Sequence, residues 1–230
     1  MAKISTFDDW IARFQEWQKD IGYDPSLLGD YKFETKLGEL HHAEIEFGDF
    51  RGQPKWEKVE QIPNQSIRDA LLNLIVYQGD TEFASVEQQK NLLDTAPTDY
   101  DRQSLIRVNS EEMRHGWQMC YLLATYFGDS GKLEAQKLLE RRASTGNRLL
   151  GSFNEPVKNW LDFFTYTQFV DRDGKFQLTM LSHSSFAPLA QSVAAMLKEE
   201  FFHMFTGNTG LTRIVRAGKI PVPIIQKYFN

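Results

Sequence analysis

An all-α helical bundle is the fold class this sequence predicts, on three observations. From residue 66 onward, apolar residues recur at spacings of three and four over long stretches, the period of helices with one buried face. Those stretches are interrupted by Pro and Gly, and no pair of alternating runs around a tight turn marks a β-hairpin. Hydrophobic residues make up 41% of the 230, with 17 Phe, 8 Tyr and 5 Trp, enough to bury a sizeable core.

The elements follow in order. STFDDWIARFQEWQKDIG opens with Ser, Thr and Asp as capping candidates and sets Trp10, Phe14 and Trp17 on one face, a short amphipathic helix that stops at Gly22. Residues 23–65 carry Gly29, Gly38, Gly48, Gly52, Pro54 and Pro63 and predict irregular chain and short elements. His41 and His42 lie there among Glu39, Glu44 and Glu46 and are expected to form a solvated surface cluster. The first long helix runs from Ser66 to just before Pro97, with Ile67, Leu71, Leu74, Ile75, Gln78, Glu82 and Val86 at helical spacing. The second starts near Asp99, aligns Leu105, Val108, Glu112, His115 and Met119, and ends at Gly128. A shorter charged helix follows at 131–144.

The third long helix is expected from Asn154 as its cap, with Pro156 in the first turn, and one stripe joins Trp160, Phe164, Thr167 and Asp171. The fourth starts near Pro188 and is expected to stop at Gly207, with Leu189, Val193, Met196, Leu197, Glu200, His203 and Met204 on its apolar side. Residues 1–65 are thus a lead-in packed on the bundle, and 66–230 are the bundle itself.

Composition narrows the function classes. The net charge of −5 with scattered basic residues does not suggest a nucleic-acid partner. The most apolar run, LLNLIVY, is too short to span a bilayer, and MAKISTFDDW has acids where a signal peptide would be apolar. One cysteine, Cys120, rules out an internal disulfide and a multi-cysteine metal site, and fits a reducing cytoplasm.

Within the bundle one pattern occurs twice. Glu112-x-x-His115 and Glu200-x-x-His203 each put a carboxylate and an imidazole one turn apart on a core-facing stripe. Each follows an acid on an earlier helix, Glu82 by 30 residues and Asp171 by 29. At about 1.5 Å of rise per residue, a helix down, a short connection and a helix back return the chain to the same level. Four carboxylates buried at one level repel each other, and each unpaired charge costs on the order of several kcal/mol. Two divalent cations cancel that charge, and O and N donors without thiolate suit iron or manganese. The duplicated plan is that of two-metal carboxylate sites in helical bundles. Asp173 is the rival to Asp171; it precedes Gly174 in a turn-forming dipeptide and is expected at a turn or helix end. Gln78, one turn before Glu82, is either a hydrogen-bond partner behind that carboxylate or a polar residue on the helix flank.

With these residues in hand, the sequence resembles the ferritin-like di-iron carboxylate proteins, and more narrowly the oxygenase component of benzoyl-coenzyme A epoxidase. QGDTEFASVEQQ, NSEEMRHGWQMCYLL, FNEPVKNWLDFFTYTQFVDRDGKFQL and FFHMFTGNTGLTRIV carry the likeness. It implies a ferritin-like four-helix bundle with accessory short helices and a di-iron centre. It implies a mono-oxygenase that uses O2 to epoxidise the ring of benzoyl-CoA at the 2,3-bond, with electrons from a separate NADPH-dependent reductase. On that pattern Glu112 and Glu200 bridge, Glu82 and His115 serve one iron, and Asp171 and His203 the other. The catalytic chain of phenylacetyl-CoA epoxidase is a more distant likeness, and a ferroxidase role shares the same ligands. Oxygenase components of this kind are considerably longer, so the chain is either a short relative or part of a longer protein. Lys137, Arg141, Arg142 and Arg148 form the densest basic patch, expected as a solvated helix face, with coenzyme A phosphates as the alternative occupant.

Overall fold

Residues 4–230 are described by the structure, a computed structural model. Helix α1 (Phe7–Asp20) starts where Thr6 Oγ1 accepts from Asp9 N–H and Asp9 Oδ2 accepts from Thr6 N–H, a reciprocal pair that satisfies two free donors of the first turn. Its Trp10, Phe14 and Trp17 are buried against Phe83 and Trp117, and Trp10 Nε1–H donates to the carbonyl of Ala135 at 2.9 Å. Residues 21–64 form short 3₁₀ turns and two isolated bridges, Glu44 with Pro54 and Trp56 with Phe186, but no strand. His41 and His42 are exposed there, at the surface.

Four long helices make the bundle: α2 (Gln65–Gln89), α3 (Asp99–Tyr126), α5 (Trp160–Leu181) and α6 (Ala187–Ala217). Helix α4 (Gly128–Glu140) packs against α3, α2 and α1, and α7 (Val222–Phe229), for which the sequence pattern predicts no element, packs on α5. Capping side chains set the starts: Asn64 Oδ1 accepts from Ser66 N–H for α2, and Thr98 Oγ1 from Asp101 N–H for α3. Helix α2 packs along α3, α5 along α6, and the two pairs meet through α3 and α6. No helix among the described residues is long and apolar enough to cross a membrane.

Three boundaries differ from the sequence expectation. Helix α5 is capped by Asn159, whose Oδ1 accepts from Leu161 and Asp162 N–H; Asn154 instead ends a 3₁₀ turn, and Pro156 lies outside the helix. The Asp173–Gly174 pair sits inside α5, not at a turn, because the apolar stripe continues to Leu178. Helix α6 runs ten residues past Gly207 and stops at Gly218, whose φ of +61° is the left-handed conformation that ends helices. Gly207 is a packing residue: a Cβ there would lie 2.5 Å from the Gln168 nitrogen and 2.6 Å from Thr167 Oγ1. Gly210 does the same against Phe164, whose ring a Cβ would overlap. The two absent side chains let α6 close onto α5.

Candidate metal centre

All six residues singled out by the duplicated pattern are buried and turned to one place at the centre of the bundle: Glu82 on α2, Glu112 and His115 on α3, Asp171 on α5, Glu200 and His203 on α6. His115 Nδ1 lies 3.3 Å from Glu82 Oε2 and 3.4 Å from Glu200 Oε1. His203 Nδ1 lies 3.4 Å from Glu112 Oε1, 3.5 Å from Glu200 Oε2 and 4.0 Å from Asp171 Oδ2. Two groups hold donor atoms all within 4.8 Å of one another, Glu82–His115–Glu200 and Glu112–Glu200–His203, and Glu200 belongs to both. Asp173 is exposed and accepts from Gln177, away from the cluster.

The other ring nitrogen of each histidine explains the orientation. His115 Nε2 is 2.9 Å from Glu199 Oε2, and His203 Nε2 is 3.0 Å from Glu111 Oε2. A carboxylate can only accept, so each Nε2 carries a proton, and an Nδ1 that gives up its own turns a lone pair inward. The straps cross: the carboxylate preceding the α6 motif holds the α3 histidine, and the one preceding the α3 motif holds the α6 histidine. Arg114, buried, pairs with Glu199, and Arg107 Nε donates to Glu111 at 2.9 Å. Spacing within one helix does not single out Glu111 or Glu199. A signal is nonetheless present, because both motifs read Glu-Glu-x-x-His when extended by one residue. Gln78 Nε2 donates to Glu82 Oε1.

The protein alone leaves this cluster unsatisfied. His115 Nδ1, His203 Nδ1 and Asp171 Oδ2 are buried without a hydrogen-bond partner, a pattern that buried polar atoms rarely tolerate. Protons take up part of the charge. Burial and the Glu82 charge push Glu112 well above the usual carboxylate range, and burial with the Glu200 charge does the same to Asp171. Burial would raise Glu82 as well, but the neighbouring Glu112 carboxyl and His115 imidazole outweigh it and hold Glu82 low. For Glu200 the imidazoles win over burial and lower it to about 2. Burial would lower both histidines; the carboxylates of Glu199, Glu200 and Glu82 raise His115 instead, and the Glu200 charge lifts His203 to about 10. Orphaned inward donors, a balanced set of O and N atoms and straps behind each imidazole fit a pair of divalent cations. A cavity of about 50 Å³ adjoins the cluster, walled by Thr81, Ser85, Phe153, Tyr166 and Gly174.

The basic patch does not form the solvated face expected of it. Arg148 is fully buried, with Nη1 3.1 Å from Asp80 Oδ1 and Nη2 2.6 Å from Glu87 Oε1, both on α2. Arg141 is near Asp80 and Glu134, Arg142 near Asp20, and Lys137 near Glu134. Arg148 thus ties its segment to α2 from inside, while Lys137, Arg141 and Arg142 are half-buried and paired nearer the surface.

A helical bundle in which two Glu-x-x-His helices each face a carboxylate from a neighbouring helix defines the class of ferritin-like carboxylate proteins. Residues 55–219 match the family described as phenylacetic acid catabolic protein, and the chain belongs to it. It is 44% identical to "Benzoyl-CoA oxygenase component B" of Aromatoleum evansii, over 97% of this chain and 56% of that protein. That alignment runs over 269 residues, more than the 230 here, so the relative carries internal segments with no counterpart in this chain. Against one subunit of the 1,2-phenylacetyl-CoA epoxidase of Escherichia coli (strain K12) the identity is 23%, over 71% of this chain and 51% of that protein. The chain thus spans about half the length of these curated relatives.

Proposed function

We propose that this chain is the metal-bearing part of a di-iron mono-oxygenase that converts benzoyl-CoA to its 2,3-epoxide. The observation that carries the reading is the buried six-residue cluster with partnerless inward donors, in a chain 44% identical to a benzoyl-CoA oxygenase component. Glu82 and His115 would hold one ion, Asp171 and His203 the other, and Glu112 and Glu200 would lie between them. Two irons so held would supply the activation of O2, with one atom for the ring and the other for water, given two protons and two electrons from an NADPH-dependent reductase that is a separate protein.

The rest is the work of the chain. Glu111 and Glu199 keep each imidazole in the tautomer that turns Nδ1 inward, and Gln78 fixes the Glu82 carboxylate from behind. The carboxylates are buried between the four helices, so their charge is balanced mainly by neighbouring groups and little by solvent. Manganese would satisfy the same donors, which makes the metal's identity a matter for measurement. The sequence suits a cytoplasmic enzyme.

The test is anaerobic loading with ferrous iron, followed by O2, NADPH, the reductase and benzoyl-CoA. The expected product is the epoxide or the diol it hydrolyses to. An intact two-iron site that gives no oxygenated thioester rejects the substrate assignment, and steady oxidation of ferrous iron without any organic substrate favours a ferroxidase.

A further inference from the structure

Three of the four seams of the bundle are closed: α2 on α3, α3 on α6, and α5 on α6. Along the fourth, between α2 and α5, the helices approach less closely, and Val170 is exposed while Gln78, Thr81 and Gly174 are half-buried. The stripe of α2 that faces this gap is one continuous line. Ile67, Leu71 and Leu74 wall an outer hollow of about 530 Å³, together with Phe50, Trp56 and Phe186, and one turn on, Gln78, Thr81 and Ser85 wall the small cavity at the carboxylate cluster. Across the gap the cavity is bordered by Tyr166, Val170, Gly174 and Leu178 of α5.

Gly174 is the anomaly in this wall. Of the glycines inside α-helices, Gly79, Gly116, Gly131, Gly207 and Gly210 each have a neighbour within 3.0 Å of where a Cβ would stand. Gly174 has nothing within 4 Å and no positive φ. A glycine in mid-helix weakens the helix relative to alanine, and neither packing nor backbone conformation requires one here. What remains is the space itself, which lies against the cavity beside Asp171 and Glu200. The cavity, at about 50 Å³, admits a molecule the size of water or O2. An aromatic ring needs roughly 150 Å³, so it has to lie in the seam beside the cavity.

From this we infer that the α2–α5 seam is the binding groove for the thioester substrate, its flat acyl ring passing over the bare backbone of Gly174 and the flexible arm behind the thioester lying along Leu74 and Leu71 toward the outer hollow. The inference rests on the function proposed above and adds the site of entry and the residue that sets the size of acyl group accepted.

Binding of benzoyl-CoA to the metal-loaded protein, measured by calorimetry without O2, tests it. Gly174→Leu should keep both metal ions and the wild-type helix content, yet weaken benzoyl-CoA at least tenfold. Gly174→Ala should melt at a higher temperature and still bind more weakly. Leu74→Trp, on the opposite wall, should weaken binding by a similar factor, while Asn208→Leu, on α6 beside a different hollow lined by Phe201 and Phe205, should not. Unchanged affinity in Gly174→Ala and Leu74→Trp, with wild type binding well, overturns the groove and leaves the function standing. A wild-type protein that holds two metals and binds no aryl thioester overturns both.

Discussion

The two halves of the bundle repeat one plan but do not finish it alike. In the α2–α3 half, Glu82 reaches to within 3.3 Å of His115 and receives a hydrogen bond from Gln78, four residues earlier. In the α5–α6 half, the shorter Asp171 stops 4.0 Å from His203, and Thr167, at the matching position, spends its hydroxyl on the Phe163 carbonyl. Asp171 Oδ2 is left without a partner. The outer surfaces differ too: α1 and α4 sheathe the first half with Trp10, Phe14 and Trp17, whereas Phe176, Met180, Phe201 and Phe205 of the second are exposed. The lesson is that a repeated ligand motif does not make two equal sites. The Glu82–His115 end is pre-organised, and on the proposed function the Asp171–His203 end would depend more on the cation itself.

The largest effect that would sharpen this contrast comes from Glu200, the residue common to both donor groups. Glu200→Ala should abolish binding of both ions, whereas Asp171→Ala should keep the one at the Glu82–His115 end; elemental analysis of the purified variants reads the difference. Equal losses would show that the halves are not distinct. Next are the crossed straps. Glu111→Gln and Glu199→Gln should each lower metal affinity about 10- to 100-fold, measured by competition with a chelator. Glu199→Gln is expected to act at the His115 end and Glu111→Gln at the His203 end, because the straps cross.

A third expectation concerns protons. Without cations the raised imidazoles and the raised Glu112 and Asp171 carboxyls hold protons that metal must displace. Loading with metal should therefore release protons. Affinity should fall as pH drops, and a pH-stat titration that finds no proton release contradicts the charge balance drawn here.

The smallest effects lie in the frame. Gly207→Ala should cost about 1–3 kcal/mol of stability by forcing α6 off α5, and Asn159→Ala should cost about 1 kcal/mol by uncapping α5. Asn154→Ala should cost less than Asn159→Ala. Thermal unfolding monitored by circular dichroism ranks the three.

These comparisons also mark what the sequence makes legible. Glu82, Glu112, His115, Asp171, Glu200 and His203 can be read because helical spacing is local and the pattern occurs twice, so each half checks the other. Glu111 and Glu199 escape because their meaning is a contact across the bundle, from α3 to α6, which no spacing within one helix reports. Arg148 is misjudged for the same reason: its partners Asp80 and Glu87 are 68 and 61 residues away. The end of α6 is misplaced because glycine has two uses, stopping a helix and admitting a neighbour, and only the position of Phe164 and Thr167 tells them apart. At α5 the Asn154-x-Pro156 signal competes with Asn159, and the hydrogen bonds of Asn159 to Leu161 and Asp162 win.

The most direct trial of the account is a count of iron with its Mössbauer spectrum, on protein loaded without O2 and then oxidised. Two irons per chain, magnetically coupled into one centre, is the predicted result. Fewer than two irons, or two that behave as isolated ions, would contradict it.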